Sequence, residues 1–150
     1  MTKTLALIIV LATGYINNAN ASWQSYVDEN LVGTGYVAKG AIVGLDGSTW
    51  ASSASFLSEG EPAAIAGAFS LPVYPEEGSI IETGLYIEGQ KYFAIQANEE
   101  FIYLKKGPLG AYLYKTNQAV VLGRYAEGTN PANCKSVVED LAAYLIESQY

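Results

Sequence analysis

Apolar and polar positions alternate along the chain in two distinct rhythms, one helical at the two ends and one β-like between them. After residue 21, Trp23, Tyr26, Val27 and Leu31 recur at helical spacing, while Asp28 and Glu29 fall on the opposite face. This predicts a first helix that Ser22 can cap, that Asp28 suits through the helix dipole, and that Gly33-Thr34-Gly35 ends. Residues 41–45 read as a buried strand, and Asp46-Gly47 before residues 48–51 is a hairpin signal. Residues 62–69, opened by Pro62, form a short helix. Residues 71–79, with two prolines and a glycine, form a loop.

The next stretch is rich in β-branched and aromatic residues. Residues 85–87 turn through Glu88-Gly89-Gln90 into a strand at 92–97, and residues 101–104 reach a turn at Lys105-Lys106-Gly107-Pro108. Strands at 111–115 and 119–125 complete a meander. In the last helix Asn130 is the cap, Pro131 the first residue, and Val138, Leu141, Ala142 and Leu145 the apolar stripe. The order predicts an α+β domain, a central antiparallel sheet packed by N- and C-terminal helices.

Composition narrows the function. At 150 residues and 16.0 kDa one domain with one core is expected. Eight basic against 15 acidic residues give a net charge of −7, which argues against nucleic acid as a partner. The chain has no histidine, which removes Ser-His-Asp and Cys-His catalysis and histidine-ligated zinc. One cysteine, Cys134, allows no intrachain disulfide. P-loop, dinucleotide-binding and nucleophile-elbow motifs are missing. The acidic pairs Asp28-Glu29, Glu76-Glu77, Glu99-Glu100 and Glu139-Asp140 read as solvated surface, because adjacent side chains diverge. Cys134, with no histidine or second cysteine to activate it, reads as structural.

Twelve tyrosines, four phenylalanines and two tryptophans suggest a binding module in place of an enzyme. Trp23 and Tyr26 lie on the first helix, and Tyr144 and Tyr150 on or beyond the last. If those helices are neighbours, the four rings can form one patch that Trp50 joins from the sheet, with core packing as the other reading. Such a groove suits a polyproline II segment, which is already extended and offers its carbonyls to Tyr and Trp donors.

Residues 1–21 differ from the rest. Lys3 precedes an apolar run of eight at residues 5–12, too short to span a bilayer, and Ala19-Asn20-Ala21 fits a signal-peptidase site. Taken alone this segment reads as a secretory signal, the alternative being a mispredicted exon. Cleavage after Ala21 would destroy the sequon Asn20-Ala21-Ser22.

Several stretches in order resemble the profilins, with the fungal and amoeboid members nearest. They are Ser22-Trp23-Gln24-Ser25-Tyr26-Val27-Asp28, Leu31-Val32-Gly33-Thr34-Gly35, Ala41-Ile42-Val43-Gly44-Leu45-Asp46-Gly47 with Trp50-Ala51, Gly89-Gln90-Lys91-Tyr92, Ile102-Tyr103-Leu104-Lys105-Lys106-Gly107, and residues 137–145. The similarity spans 22–150, taken as the domain, with 1–21 as an extension. It implies a non-enzymatic, cofactor-free protein of the cytoplasm and cytoskeleton that binds actin monomers, regulates polymerisation and binds proline-rich partners such as formins. The implied polyproline groove is Trp23, Tyr26, Trp50, Tyr144, Leu145 and Tyr150, and the implied actin face is Ile81, Lys91, Lys105, Lys106, Arg124, Lys135 and Glu139. Asp140 stands where many relatives have Lys, and Leu104 where a Gly is usual, which bears on actin affinity. With eight basic residues in all, phosphoinositide binding should be weak. Profilins normally begin with Met before the Ser-Trp pair, so the resemblance shifts residues 1–21 from a secretory signal toward an exon or isoform extension. The alternatives are a secreted peptide- or ligand-binding module on the same fold, and a small enzyme using carboxylates.

Overall fold

The computed structural model describes residues 22–72 and 77–150. The readings made on residues 1–21 and on Glu76 lie outside the described residues. A first helix, α1 (Ser22–Ser25), continues as a π-helical turn (Tyr26–Leu31) and a 3-10 turn (Val32–Thr34). Gly35, in the left-handed region, stops it. The widened turn closes with the Val32 N–H donating to the Val27 carbonyl, five residues back. Tyr26, Val27, Asn30 and Leu31 are thereby buried together on one side.

Strands β1 (Lys39–Gly44) and β2 (Thr49–Ser52) form the expected hairpin. Helix α2 (Glu61–Gly67) runs into a 3-10 turn (Ala68–Ser70). A short helix, α3 (Ile80–Thr83), follows the stretch read as loop, with Ser79 capping it through the Glu82 N–H. Then come β3 (Leu85–Ile87), β4 (Gln90–Ala97), β5 (Phe101–Lys106), β6 (Leu109–Lys115) and β7 (Ala119–Tyr125). The closing helix, α4 (Pro131–Glu147), starts at Asn130, whose side chain accepts the Ala132 N–H. One expected boundary moves: Lys105 and Lys106 belong to β5, and the turn lies beyond them at Gly107.

The seven strands form one antiparallel sheet in the order β2-β1-β7-β6-β5-β4-β3. Alternation divides their side chains between two cores. On one face Ile42, Phe101, Tyr112, Tyr114, Val121 and Tyr125 pack under α1 and α4. On the other, Val43, Tyr92, Ile102, Leu104, Leu113 and Leu122 pack with Phe56, Ile65 and Ile80. Gly123 lets α4 approach: a methyl there would sit 2.5 Å from Val138 Cγ2.

The β3–β4 turn is fixed by a buried carboxylate. Glu61 Oε1 accepts the N–H groups of Ser58 (2.9 Å) and Glu88 (2.8 Å), and Oε2 accepts that of Gly89 (2.7 Å). Glu88 and Gly89 both have positive φ, as a two-residue hairpin loop that follows the sheet twist requires. The Glu88 carboxylate reaches back across the sheet to Arg124 (2.7 Å) and Lys39 (3.2 Å).

Candidate functional site

The helical face of the sheet carries an aromatic cluster where the two ends of the chain meet. Trp23 lies 5.4 Å from Tyr26, 4.6 Å from Trp50 and 5.0 Å from Tyr150, centroid to centroid. Tyr26 lies 6.1 Å from Tyr144, which joins α1 to α4. Most of these pairs meet edge to face, the arrangement that ring quadrupoles favour. Gln24 ties α1 to the sheet edge through the Ser52 carbonyl at 3.1 Å. At Gly44 a methyl would fall 2.6 Å from Trp50 Nε1, so a side chain there would displace the indole.

The structure brings Trp23, Tyr26, Trp50, Tyr144 and Tyr150 together as one cluster. Trp23, Trp50 and Tyr144 are partly exposed and Tyr150 is 42% exposed, so a ligand can reach them. Leu145 does not join them at the surface. It has no exposed area and packs in the core beneath, because it shares the inward stripe with Val138, Leu141 and Ala142. Its place is in the core beneath the cluster. Burial and the neighbouring Tyr144 and Tyr150 push the Tyr26 hydroxyl far above the ordinary tyrosine range, so it stays a neutral donor.

A second region follows from how far the helices reach. They cover β1, β7 and β6 and leave β4 and β3 bare on the same face. Along β4, Tyr92 and Ala94 point into the far core, while Phe93 (57%) and Ile95 (55%) stand exposed. Tyr86 (54%) lies opposite Lys91 across the β3–β4 pair, and Lys91 Nζ sits 5.4 Å over the Phe93 ring. Phe93 is in register with Lys105 of β5, which places that lysine on the same face. Lys135, in the first turns of α4, lies over Phe101 at 5.1 Å.

The residues expected for an actin face therefore divide. Lys91, Lys105 and Lys135 border the bare half of the sheet, and Glu139 lies exposed one helical turn beyond Lys135. Lys106 follows Lys105 in the strand and so lies on the opposite face of the sheet. Arg124 also faces the far side. It is held over Phe56 and by Glu88, in an ion pair not aligned as a hydrogen bond. Ile81 is partly buried against the far core. Exposed Tyr86, Phe93 and Ile95 were not singled out in the sequence. The period-two pattern of β4 was the available signal, since it places Phe93 and Ile95 opposite buried Tyr92.

Other candidate chemistry is quiet. Cys134 is buried, and burial pushes its thiol up to about 12, consistent with a structural role. Asp28, Glu29, Glu99 and Glu100 are exposed. Buried Glu61 is fully engaged by backbone donors. Among the described residues no group of Cys, Asp and Glu could hold a metal ion, and no helix is long and apolar enough to cross a membrane. A hollow of about 640 Å³ lies against α2 and the β3 edge, lined by Gly60, Glu61, Ala64, Leu85, Tyr86 and Gly89 among others.

Known proteins share this pattern. The family model described as Profilin matches residues 21–150. The chain is 45% identical to Profilin-A of Physarum polycephalum over 129 residues, which is 86% of this chain and 99% of that one. The crystal structure of Acanthamoeba castellanii profilin II superposes with a TM-score of 0.77 at 43% identity, covering 85% of this chain and 99% of the other. Mouse profilin IIa, solved in complex with a double repeat from the FH1 domain of mDia1, superposes with a TM-score of 0.64 at 22% identity, covering 85% and 99%; that likeness concerns the fold. With a family model over nearly all described residues, a close relative over the same span, and the same sheet and terminal helices, this chain belongs to the profilin family.

Proposed function

We propose that this chain is a non-enzymatic regulator of actin polymerisation that binds an actin monomer with the bare half of its sheet and a proline-rich segment with its aromatic groove. The observation that carries the reading is the exposed ring cluster of Trp23, Trp50, Tyr144 and Tyr150 in a member of the profilin family. A polyproline II segment has regularly spaced ring faces and unpaired carbonyls. Packed aromatic edges with indole and phenol donors match both, and rigid rings lose little entropy on binding. A protein of this fold has been solved with such a ligand, a double repeat from an FH1 domain. This supports proline-rich partners of the formin kind for the present chain.

The actin side rests on family membership and on a surface of suitable chemistry. Exposed Phe93, Ile95 and Tyr86 form an apolar centre, with Lys91, Lys105 and Lys135 around it. An apolar centre with a charged rim is the usual layout of a protein–protein contact. Helix α4 links the two regions. Lys135 and Tyr144 lie nine residues apart on it, about 14 Å along the axis, so both partners can be held at once. The mechanism is bridging, in which a tethered proline-rich partner raises the local concentration of bound actin. The functional domain is residues 22–150, with 1–21 an extension, and the reading places the protein with cytoplasmic actin. Net acidity and the internal pairing of Lys39 and Arg124 leave few cations for phosphoinositides.

One experiment tests both halves. Actin monomers are passed over poly-L-proline resin with and without the full chain. Retention of actin only in the presence of the chain is the expected result. Retention of the chain without actin would overturn the actin half, and passage of the folded chain itself would overturn the groove half.

A further inference from the structure

Tyr150 lies beyond the end of α4 yet is part of the aromatic cluster. It is held by a loop more than thirty residues earlier in the sequence. The Tyr150 carbonyl accepts hydrogen bonds from the Gln118 N–H and from Thr116 Oγ1, the latter at 3.0 Å. Gln118 Nε2 donates to the Gln149 carbonyl at 3.0 Å. The Tyr150 N–H donates to the Leu145 carbonyl at 2.8 Å, and Gln149 adopts a left-handed conformation that turns the chain back. These contacts tie the end of the chain to the β6–β7 turn. The ring they fix is the one that meets Trp23 at 5.0 Å and Trp50 at 6.5 Å.

Thr116 is well placed for this task. It is buried, and its oxygen accepts the Ala119 N–H at 3.0 Å, which serves the turn. Its single proton can go to the Ala119 carbonyl at 3.2 Å or to the Tyr150 carbonyl at 3.0 Å. Both carbonyls already accept one backbone N–H and keep a second lone pair, and the shorter distance directs the hydroxyl proton to Tyr150. The Gln118 side chain is exposed, and its bond to Gln149 serves only the chain end.

We infer that Thr116 and Gln118 are positioning residues of the aromatic groove: they hold the Tyr150 ring in its ligand-ready place and so set the affinity for proline-rich segments. The inference rests on the groove reading above and extends it to two residues that touch no ligand. Ordering the segment beyond α4 in advance removes a cost that the ligand would otherwise meet on binding.

The test is a poly-L-proline titration of the full chain and its Thr116→Val, Thr116→Ser and Gln118→Ala variants, followed by tryptophan fluorescence. Thr116→Val should weaken binding by about five-fold, the effect of one lost hydrogen bond. Its ligand-free emission should move to the red as Tyr150 leaves Trp23 and Trp50. Thr116→Ser should restore both affinity and emission, and Gln118→Ala should weaken binding about two-fold without loss of fold. A folded Thr116→Val that binds and emits like the parent overturns the inference. If Thr116→Val does not fold, Gln118→Ala decides: parental affinity and emission overturn the inference. A parent that ignores poly-L-proline overturns the groove reading and this inference with it.

Discussion

The two ends of one sheet face expose aromatic side chains for different reasons. At the β2–β1 end, Trp23, Trp50, Tyr144 and Tyr150 come from the first helix, strand β2 and the last helix with its continuation, and meet one another directly or through Tyr26. At the β4–β3 end, Tyr86, Phe93 and Ile95 stand out because no helix reaches them, and strand alternation alone points them outward. The first surface is built by convergence of side chains, the second by the limits of the helical layer. A converged cluster presents rigid pockets suited to a narrow extended ligand. A bare strand face presents a broad, flatter area suited to a protein.

The sharpest way to separate the two regions is to weaken the support of each in turn. Leu145→Ala should cost about 3 kcal/mol of stability, as expected for a buried leucine in a close-packed core. Urea unfolding would show it, and the folded fraction should still bind poly-L-proline. Glu61→Ala should have a similar cost, about 3 kcal/mol, because three backbone donors lose their partner. Its effect should fall on the β3–β4 turn, so actin binding should suffer while proline binding per folded molecule survives.

Substitutions at the surface should move binding and spare the fold. Trp23→Ala should remove about 2 kcal/mol of proline-segment binding, about 30-fold in Kd, with actin binding unchanged. Phe93→Ala should do the reverse, weakening actin binding by about 1.5 kcal/mol with proline binding intact, measured by co-sedimentation or by nucleotide exchange on actin.

An effect confined to alkaline pH comes from the core shared by both regions. Burial raises the Cys134 thiol from 9.0 to about 12 and the Tyr112 hydroxyl from 10.0 to about 12. The unfolded chain releases these protons first as pH rises. Stability from this source is therefore complete below about pH 9 and lost progressively between about pH 9 and 12. Alkaline urea titrations should show the decline, and a thiol reagent should reach Cys134 only on unfolding. A thiol that reacts in the folded protein at pH 8 would contradict this burial.

Most of the fold was legible in the sequence because strand and helix periods are local. Residues 85–87 and 119–125 matched their strands, and Asn130-Pro131 marked the start of α4. The rings of the cluster were legible as aromatic residue types on the first helix, in the hairpin and on the last helix, although their meeting depended on the tertiary fold. Helix α3 was not legible, since it is a single turn of four residues, too short for a helical period, directly after a stretch read as loop. Nor was the π-helical turn, whose five-residue hydrogen bond has no composition signal. The placement of the residues expected on the actin face was least legible. Arg124 is paired with a residue 36 positions away, and Lys105 and Lys106 are separated by alternation once they lie in a strand. Leu145 was assigned to the groove through resemblance, whereas its own helical stripe already placed it inward.

The measurement that bears most directly on the groove is a poly-L-proline titration of the full chain followed by tryptophan fluorescence. Trp23 and Trp50 are the only tryptophans and both lie in the cluster. A saturable change, shifted to about 30-fold higher ligand concentration in Trp23→Ala, is the expected result. A folded protein whose emission ignores poly-L-proline would contradict the groove and leave the cluster as packing alone.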